Sequence, residues 1–192
     1  MANKLSTLIQ FYDSFWGRQL QRCLMPFWRK RKQEPTLALG FGLPWPDPDA
    51  LYAIPTQYGG KGIVWPAHGP CQTLLVDPTQ LPVDDRSVGT VWAIHMLDEA
   101  SDLWINEVNR VLRHDGQLHL VVARAYHPLT RGWPLARFSK KGIKERLVDR
   151  DWQINIQPIM GCPGMLWYIT AQKLPYYAVK TTSDGCLVLM QS

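Results

Sequence analysis

From Leu5 to Trp28 the apolar residues fall at Leu5, Leu8, Ile9, Tyr12, Trp16, Leu20, Cys23, Leu24, Phe27 and Trp28. This three-and-four spacing predicts an amphipathic helix. Gly17 and Pro26 predict a division or kink within it. The run Arg29-Lys30-Arg31-Lys32 places cations at the negative end of the helix dipole, and Pro35 closes the segment. A helix that caps the rest of the chain competes here with one that lies on a membrane surface. After Pro35 the pattern changes to short apolar runs between turn residues. Strands are expected at Thr36 to Leu39, running into Gly40-Phe41-Gly42, and at Leu51 to Ile54. Further strands are expected at Thr73 to Val76, ending at Asp77-Pro78, and at Ser87 to Ile94. A helix follows over Ser101 to Leu112, with Leu103, Trp104, Ile105, Val108, Val111 and Leu112 on one side. Asp115-Gly116 supplies a turn before a fifth strand, Leu118 to Ala123. The last third predicts a helix over Ser139 to Leu147 capped by Ser139, a strand over Trp152 to Gln157, and a final strand over Cys186 to Met190. Met165 to Ala178 fits either period, with Leu166 to Ile169 favouring strand locally.

Strands that alternate with helices imply parallel pairing through right-handed crossovers, hence an open doubly wound α/β sheet. Six prolines from Pro44 to Pro70 leave little room for a crossover helix after the first strand. A length of 192 residues favours one folded domain, 35–192, behind a basic helical cap, 1–34. With 46% hydrophobic and 19% charged residues the chain can build a core and is not disordered by composition. No apolar run reaches the length of a membrane span, and the N-terminus lacks a signal-peptide pattern, so a soluble cytoplasmic protein is expected. Cys23, Cys71, Cys162 and Cys186 form no C-x-x-C pair, which disfavours a zinc ribbon or disulfide scaffold and points to reduced packing thiols.

Charge is placed unevenly. Residues 1–34 hold seven bases and two acids, which accounts for the whole net charge of +5. Asp77 to Asp115 is acidic, and Arg124 to Arg150 is basic. Such basic stretches suit an anionic partner, either nucleic acid or a lipid surface, or are simply the solvated faces of helices.

The stretch from Leu81-Pro82-Val83-Asp84-Asp85-Arg86-Ser87 to Asn106-Glu107-Val108-Asn109-Arg110-Val111-Leu112-Arg113-His114-Asp115-Gly116 resembles class I S-adenosylmethionine-dependent methyltransferases of the type 11 group, in a bacterial subgroup. In that group a Leu-Pro and an acidic turn precede a strand, and a helix ends in Arg-Val-Leu-(Arg/Lys)-Pro-Gly-Gly. Here His114-Asp115-Gly116 replaces the last three residues. Phe11-Tyr12-Asp13-Ser14-Phe15-Trp16-Gly17-Arg18 is similar to the entry segment of the same enzymes, without its proline. The resemblance implies a mostly parallel, seven-stranded Rossmann-like sheet with an N-terminal capping helix, S-adenosylmethionine as cofactor, and methyl transfer to an acceptor it does not name. It implies that Gly40, Phe41 and Gly42 cradle the methionine and ribose. By the same resemblance Asp77 accepts from the adenine amino group, Pro78 and Thr79 contact the ring, and His95 and Met96 line the transfer pocket.

Two acids of the family pattern are absent. Ala38 stands two residues before the first glycine, and the second strand ends in Ile54-Pro55 where an acid usually holds the ribose. A charged hydrogen bond contributes about 1.5–3 kcal/mol, so both losses weaken the expected cofactor site. This opens an alternative: a catalytically inactive member of the fold that docks through its basic surface. Methyl transfer needs in-line positioning more than a fixed catalytic set. If the acceptor must lose a proton, His95 is the candidate catalytic base, with a packing histidine as the other reading. Asp98 and Glu99 read as an acceptor-binding or helix-start pair. Trp16, Trp28, Trp92, Trp104 and Trp152 fall at core positions, whereas Trp45, Trp65 and Trp133 lie beside prolines where they could wall a pocket.

Overall fold

Thr36–Gly40 (β1) and Val88–Ile94 (β4) are buried at every residue, as strands are when both sheet faces are covered. They pair in parallel at the centre of the sheet. A computed structural model of the chain describes residues 10–30, 34–40, 50–55, 73–97, 103–130, 136–147, 152–159, 164–173, 177–181 and 187–191. Five further strands complete the main path: Ala50–Pro55 (β2), Thr73–Val76 (β3), Leu112–Arg124 (β5), Trp152–Pro158 (β7) and Leu166–Lys173 (β8). The spatial order is β3-β2-β1-β4-β5-β8-β7, with the two-residue strand Arg137–Phe138 (β6) beside the end of β5. The pairs from β3 through β5 are parallel, and β8 runs antiparallel to both β5 and β7. The doubly wound, mostly parallel sheet expected from the alternation of elements is therefore present. Tyr177–Thr181 (β9) and Leu187–Gln191 (β10) form a separate antiparallel pair, so the last strand is not part of the main sheet.

The Asp115-Gly116 turn does not precede β5 but lies within it. Val88 pairs with Leu112 and Thr90 with Gln117, so the four residues 113–116 stand against Gly89 alone, a wide irregularity with three extra residues on the β5 side. A Cβ on Gly116 would lie 2.9 Å from a Leu112 methyl and 3.0 Å from the Arg113 carbonyl, and this tight loop is why glycine stands there.

Residues 10–13 are helical, Ser14 is a bend, and Phe15–Lys30 (α1) follows. The break thus falls before Gly17, and Pro26 sits inside α1 without ending it. Gly17 still matters to the break. Its N–H donates to Ser14 Oγ at 3.2 Å, while that hydroxyl donates to the Phe11 carbonyl. A Cβ on Gly17 would sit 2.1 Å from the Phe11 oxygen, so only glycine lets the first helical turn fold back this closely.

Leu20, Leu24 and Trp28 of α1 are buried, and Arg18 and Arg22 are exposed. Trp28 packs on Trp92 at 4.7 Å between ring centroids, and Phe27 on Tyr168 at the same distance. Trp92, His119 and Tyr168 stack side by side across β4, β5 and β8, and the Tyr168 hydroxyl and His119 Nδ1 share a hydrogen bond of 2.8 Å. The helix therefore caps one face of the sheet. Trp16, expected in the core, is a correction: it is 44% exposed, in the first turn of α1. Cys23 is a free, half-buried thiol; the other three cysteines, and Trp45, Trp65 and Trp133, lie outside the described residues. No described helix is long and apolar enough to cross a membrane.

Leu103–Val111 (α2) buries Trp104, Ile105, Val108 and Val111, while Leu103, expected on the same side, is exposed. Lys140–Leu147 (α3) begins as expected at Ser139, whose hydroxyl accepts from the Gly142 N–H at 3.1 Å.

Candidate functional site

In an open α/β sheet, ligands bind beyond the carboxyl ends of the strands, where the strand order reverses. Here β3, β2, β1, β4 and β5 all end at one edge, and the reversal falls between β1 and β4, where Gly40 pairs with Ile94. Both strands lead there into backbone of positive φ. Gly40 has φ +88°, and a Cβ on it would lie 2.6 Å from the Ile94 carbonyl and 2.7 Å from the Met96 side chain. The glycine is thus required by the left-handed turn and by the packing of Met96 against it. Across the reversal His95 also has positive φ, at +56°, although it is not glycine. Its N–H is held by the Val121 carbonyl at 2.8 Å. Non-glycine residues in this region are uncommon and cluster at functional sites.

His95 is 3% exposed, and its Nε2 shares a hydrogen bond of 2.8 Å with the Tyr12 hydroxyl, in a direction set by the imidazole tautomer. Tyr12, itself buried, reaches this edge because the helical turn at residues 10–13 folds back over it. Tyr12 was not legible as a site residue: it looked like one more apolar position of the first helix. The signal for it is Gly17, whose missing side chain makes the fold-back sterically allowed.

Asp77 follows β3 at the same edge. The N–H and the hydroxyl of Thr79 both donate to Asp77 Oδ1, at 2.9 and 2.7 Å. The Thr79 hydroxyl, with its amide second, holds the Asp77 carboxyl below its ordinary range. The carboxylate is therefore charged and fixed by its own turn. Both bonds fall on one oxygen, so Oδ2 can accept from a ligand. The Thr79 amide, expected to face a ring, is committed to Asp77. Ala38 and Ile54, which replace the acids of the family pattern, are buried apolar residues. Phe41, Gly42, Asp98 and Glu99 lie outside the described residues.

The stretch that carries the strongest resemblance does something else. Glu107 and Arg110 on α2 form an ion pair of 2.6 Å, and Glu107 Oε1 also accepts from the Leu81 N–H at 2.8 Å. Arg110 donates in addition to the Leu81 and Val83 carbonyls and to Asp85. Leu81, Asp85, Glu107 and Arg110 thus clamp the loop before β4 to the helix after it, and so fix the start of β4.

No protein-family model matches the chain, and no curated protein does. Solved structures do. A SAM-dependent methyltransferase from Thermotoga maritima superposes with TM-score 0.62 at 12% identity, over 88% of this chain and 96% of the other. A SAM-dependent methyltransferase from Aquifex aeolicus gives 0.59 at 14%, over 88% and 98%. The 1,6-didemethyltoxoflavin-N1-methyltransferase of Burkholderia thailandensis, with bound 1,6-didemethyltoxoflavin and S-adenosylhomocysteine, gives 0.51 at 13%, over 85% and 80%. At such identities the likeness speaks for the architecture, and with the strand order above it shows that this chain has the Rossmann-like fold of SAM-dependent methyltransferases.

Proposed function

We propose that the chain binds S-adenosylmethionine along the edge from Asp77 through Gly40 to His95 and transfers its methyl group to an acceptor. The observation that carries this reading is the pair of left-handed residues, Gly40 ending β1 and His95 following β4, on either side of the strand-order reversal. The described residues fit the cofactor at two points. The charged, pre-set Asp77 carboxylate offers Oδ2 to the adenine amino group, with Pro78 beside the ring. The left-handed backbone at Gly40 would hold the methionine and ribose, and the family resemblance adds Phe41 and Gly42 to that role. With Ala38 and Ile54 at the acid positions, backbone groups carry that end. We further assign the chain to the type 11 group, on the stretch from Leu81 to Leu118.

The bound sulfonium would supply the methyl group, and in-line placement of the acceptor would do most of the rest. His95 is too enclosed, and its Nε2 too firmly tied, to take the acceptor's proton directly. We assign it to holding the Tyr12 hydroxyl at the floor of the transfer pocket, next to Met96.

Calorimetric titration with S-adenosylhomocysteine tests the reading. Saturable binding weakened by about tenfold or more in Asp77→Ala is expected, from loss of one charged hydrogen bond. Absence of binding at millimolar ligand would overturn it.

A further inference from the structure

Beyond the end of β5 the sheet edge carries a second feature that cofactor binding does not use. A groove of about 420 Å³ opens between residues 124–127, the start of α3 and Trp167. That size is in the range of small-molecule sites. The side chains follow from strand alternation. Trp92, His119 and Tyr168 face α1, so Arg124 and Trp167, at the other parity of β5 and β8, face away from it.

Arg124 is built into this groove. Its guanidinium lies 4.7 Å from the centre of the Trp167 ring, and the ring is locked by Nε1 donating to the Phe138 carbonyl at 3.0 Å. Gly164, at φ +64°, passes close: a Cβ there would stand 3.1 Å from Arg124 Nη1. Yet among the described residues no carboxylate pairs with Arg124, and none accepts from its guanidinium. Lys140 faces the same groove, and no acidic residue is among its described walls. Between Arg124 and His127, Tyr126 is held at φ +61° and is 96% exposed as a residue. A strained backbone that presents an aromatic residue to solvent, beside a pre-positioned arginine that no described carboxylate pairs, is an arrangement that a ligand would complete.

We infer that this groove binds a small planar molecule bearing an oxyanion, a carboxylate or a phosphate. The anion would take the fork of Arg124 and the Lys140 ammonium, and the ring would lie against Tyr126. The groove is one strand over from His95, and Arg124 is three residues beyond Val121, roughly 10 Å along the strand. The same site therefore anchors the methyl acceptor; this last identification rests on the methyl-transfer reading, and the oxyanion site itself does not.

The test is titration of the full chain with 2-naphthoate, 2-naphthyl phosphate and neutral 2-naphthamide. It is followed by NMR at the Trp167 indole N–H, whose signal is identified by its loss in Trp167→Phe. A saturable shift with an oxyanion is expected, with the amide weaker by about tenfold or more; whichever of the two oxyanions binds more tightly names the source. Arg124→Gln should weaken binding by about tenfold, and Arg124→Lys by less, because the charge stays and the fork is lost. Lys140→Gln, at an exposed position, provides the same comparison should Arg124→Gln fail to fold. An amide that binds as tightly as the carboxylate, or oxyanion binding unchanged by these substitutions, would overturn the proposal. Binding of S-adenosylhomocysteine with no oxyanion shift overturns the groove alone. An oxyanion shift with no S-adenosylhomocysteine binding keeps the site and removes its identification with the acceptor.

Discussion

Two glycines on two helices show how much a single methyl group decides. At Gly17 a Cβ would meet the Phe11 carbonyl at 2.1 Å, whereas at Gly142 the nearest atom is the Ser139 hydroxyl at 3.5 Å. Gly17→Ala should therefore destabilise the protein by about 1–3 kcal/mol, as overpacking does, and release the Tyr12 fold-back. Gly142→Ala should stabilise by about 0.5–1 kcal/mol, the usual gain of alanine in a helix. Urea unfolding of both variants checks the opposite signs, and an unchanged midpoint for Gly17→Ala would refute the steric account. The sequence marks Gly17 as a break but hides the cause, because the obstructing carbonyl belongs to a residue six positions earlier. Asp77 was singled out by the family resemblance, and its place directly after a strand was readable; that Thr79 would occupy one of its oxygens was not, since an Asp-Pro-Thr turn does not disclose which oxygen accepts. The contacts of Tyr12 with His95 and of Arg124 with Trp167 were not legible, since both are made between distant parts of the chain; the sequence marked Arg124 only as the start of a basic stretch.

Among the elements, α2 and its clamp have the clearest energetic signature. The hydrogen bond from Arg110, with the Leu81 amide adding to it, lowers the Glu107 carboxyl pKa against the opposing effect of burial. A lowered folded-state pKa stabilises the fold above the unfolded value of about 4.3 and stops doing so as pH falls through the folded value. Glu107→Gln should then cost about 2 kcal/mol near neutral pH, from weakened charged hydrogen bonds. The gap between the two proteins should close as the pH drops below about 4. Denaturation midpoints across pH would show this, and a gap that persists in acid would mean that the carboxylate's charge is not what matters. Ser139→Ala should cost about 1 kcal/mol through loss of the α3 cap. Strand and helix positions were largely readable from periodicity, since β1, β3, β4 and α3 start or end within a residue or two of expectation. The Asp115-Gly116 signal was read as a boundary because a tight turn and a bulge use the same residues; only the partner strand distinguishes them.

For the whole molecule, the order β3-β2-β1-β4-β5 with an antiparallel β8 between β5 and β7 follows from short parallel units and one reversal. Alternating elements predicted the parallel part. They could not predict where β8 inserts or that β9 and β10 stand apart, because antiparallel partners are chosen by side-chain packing rather than by connection length. This order brings Asp77, Gly40, His95 and Arg124, scattered over 85 positions of the sequence, to one edge. The resemblance located the edge, whereas the clamp that the same stretch builds shows that part of the signal is structural. Whether that edge holds the cofactor is decided most directly by a crystal structure of the chain with S-adenosylhomocysteine. The account expects the adenine amino group on Asp77 Oδ2 and the sulfur beside Gly40 and His95. Density for the ligand elsewhere, or a bare edge in crystals of saturated protein, would contradict it.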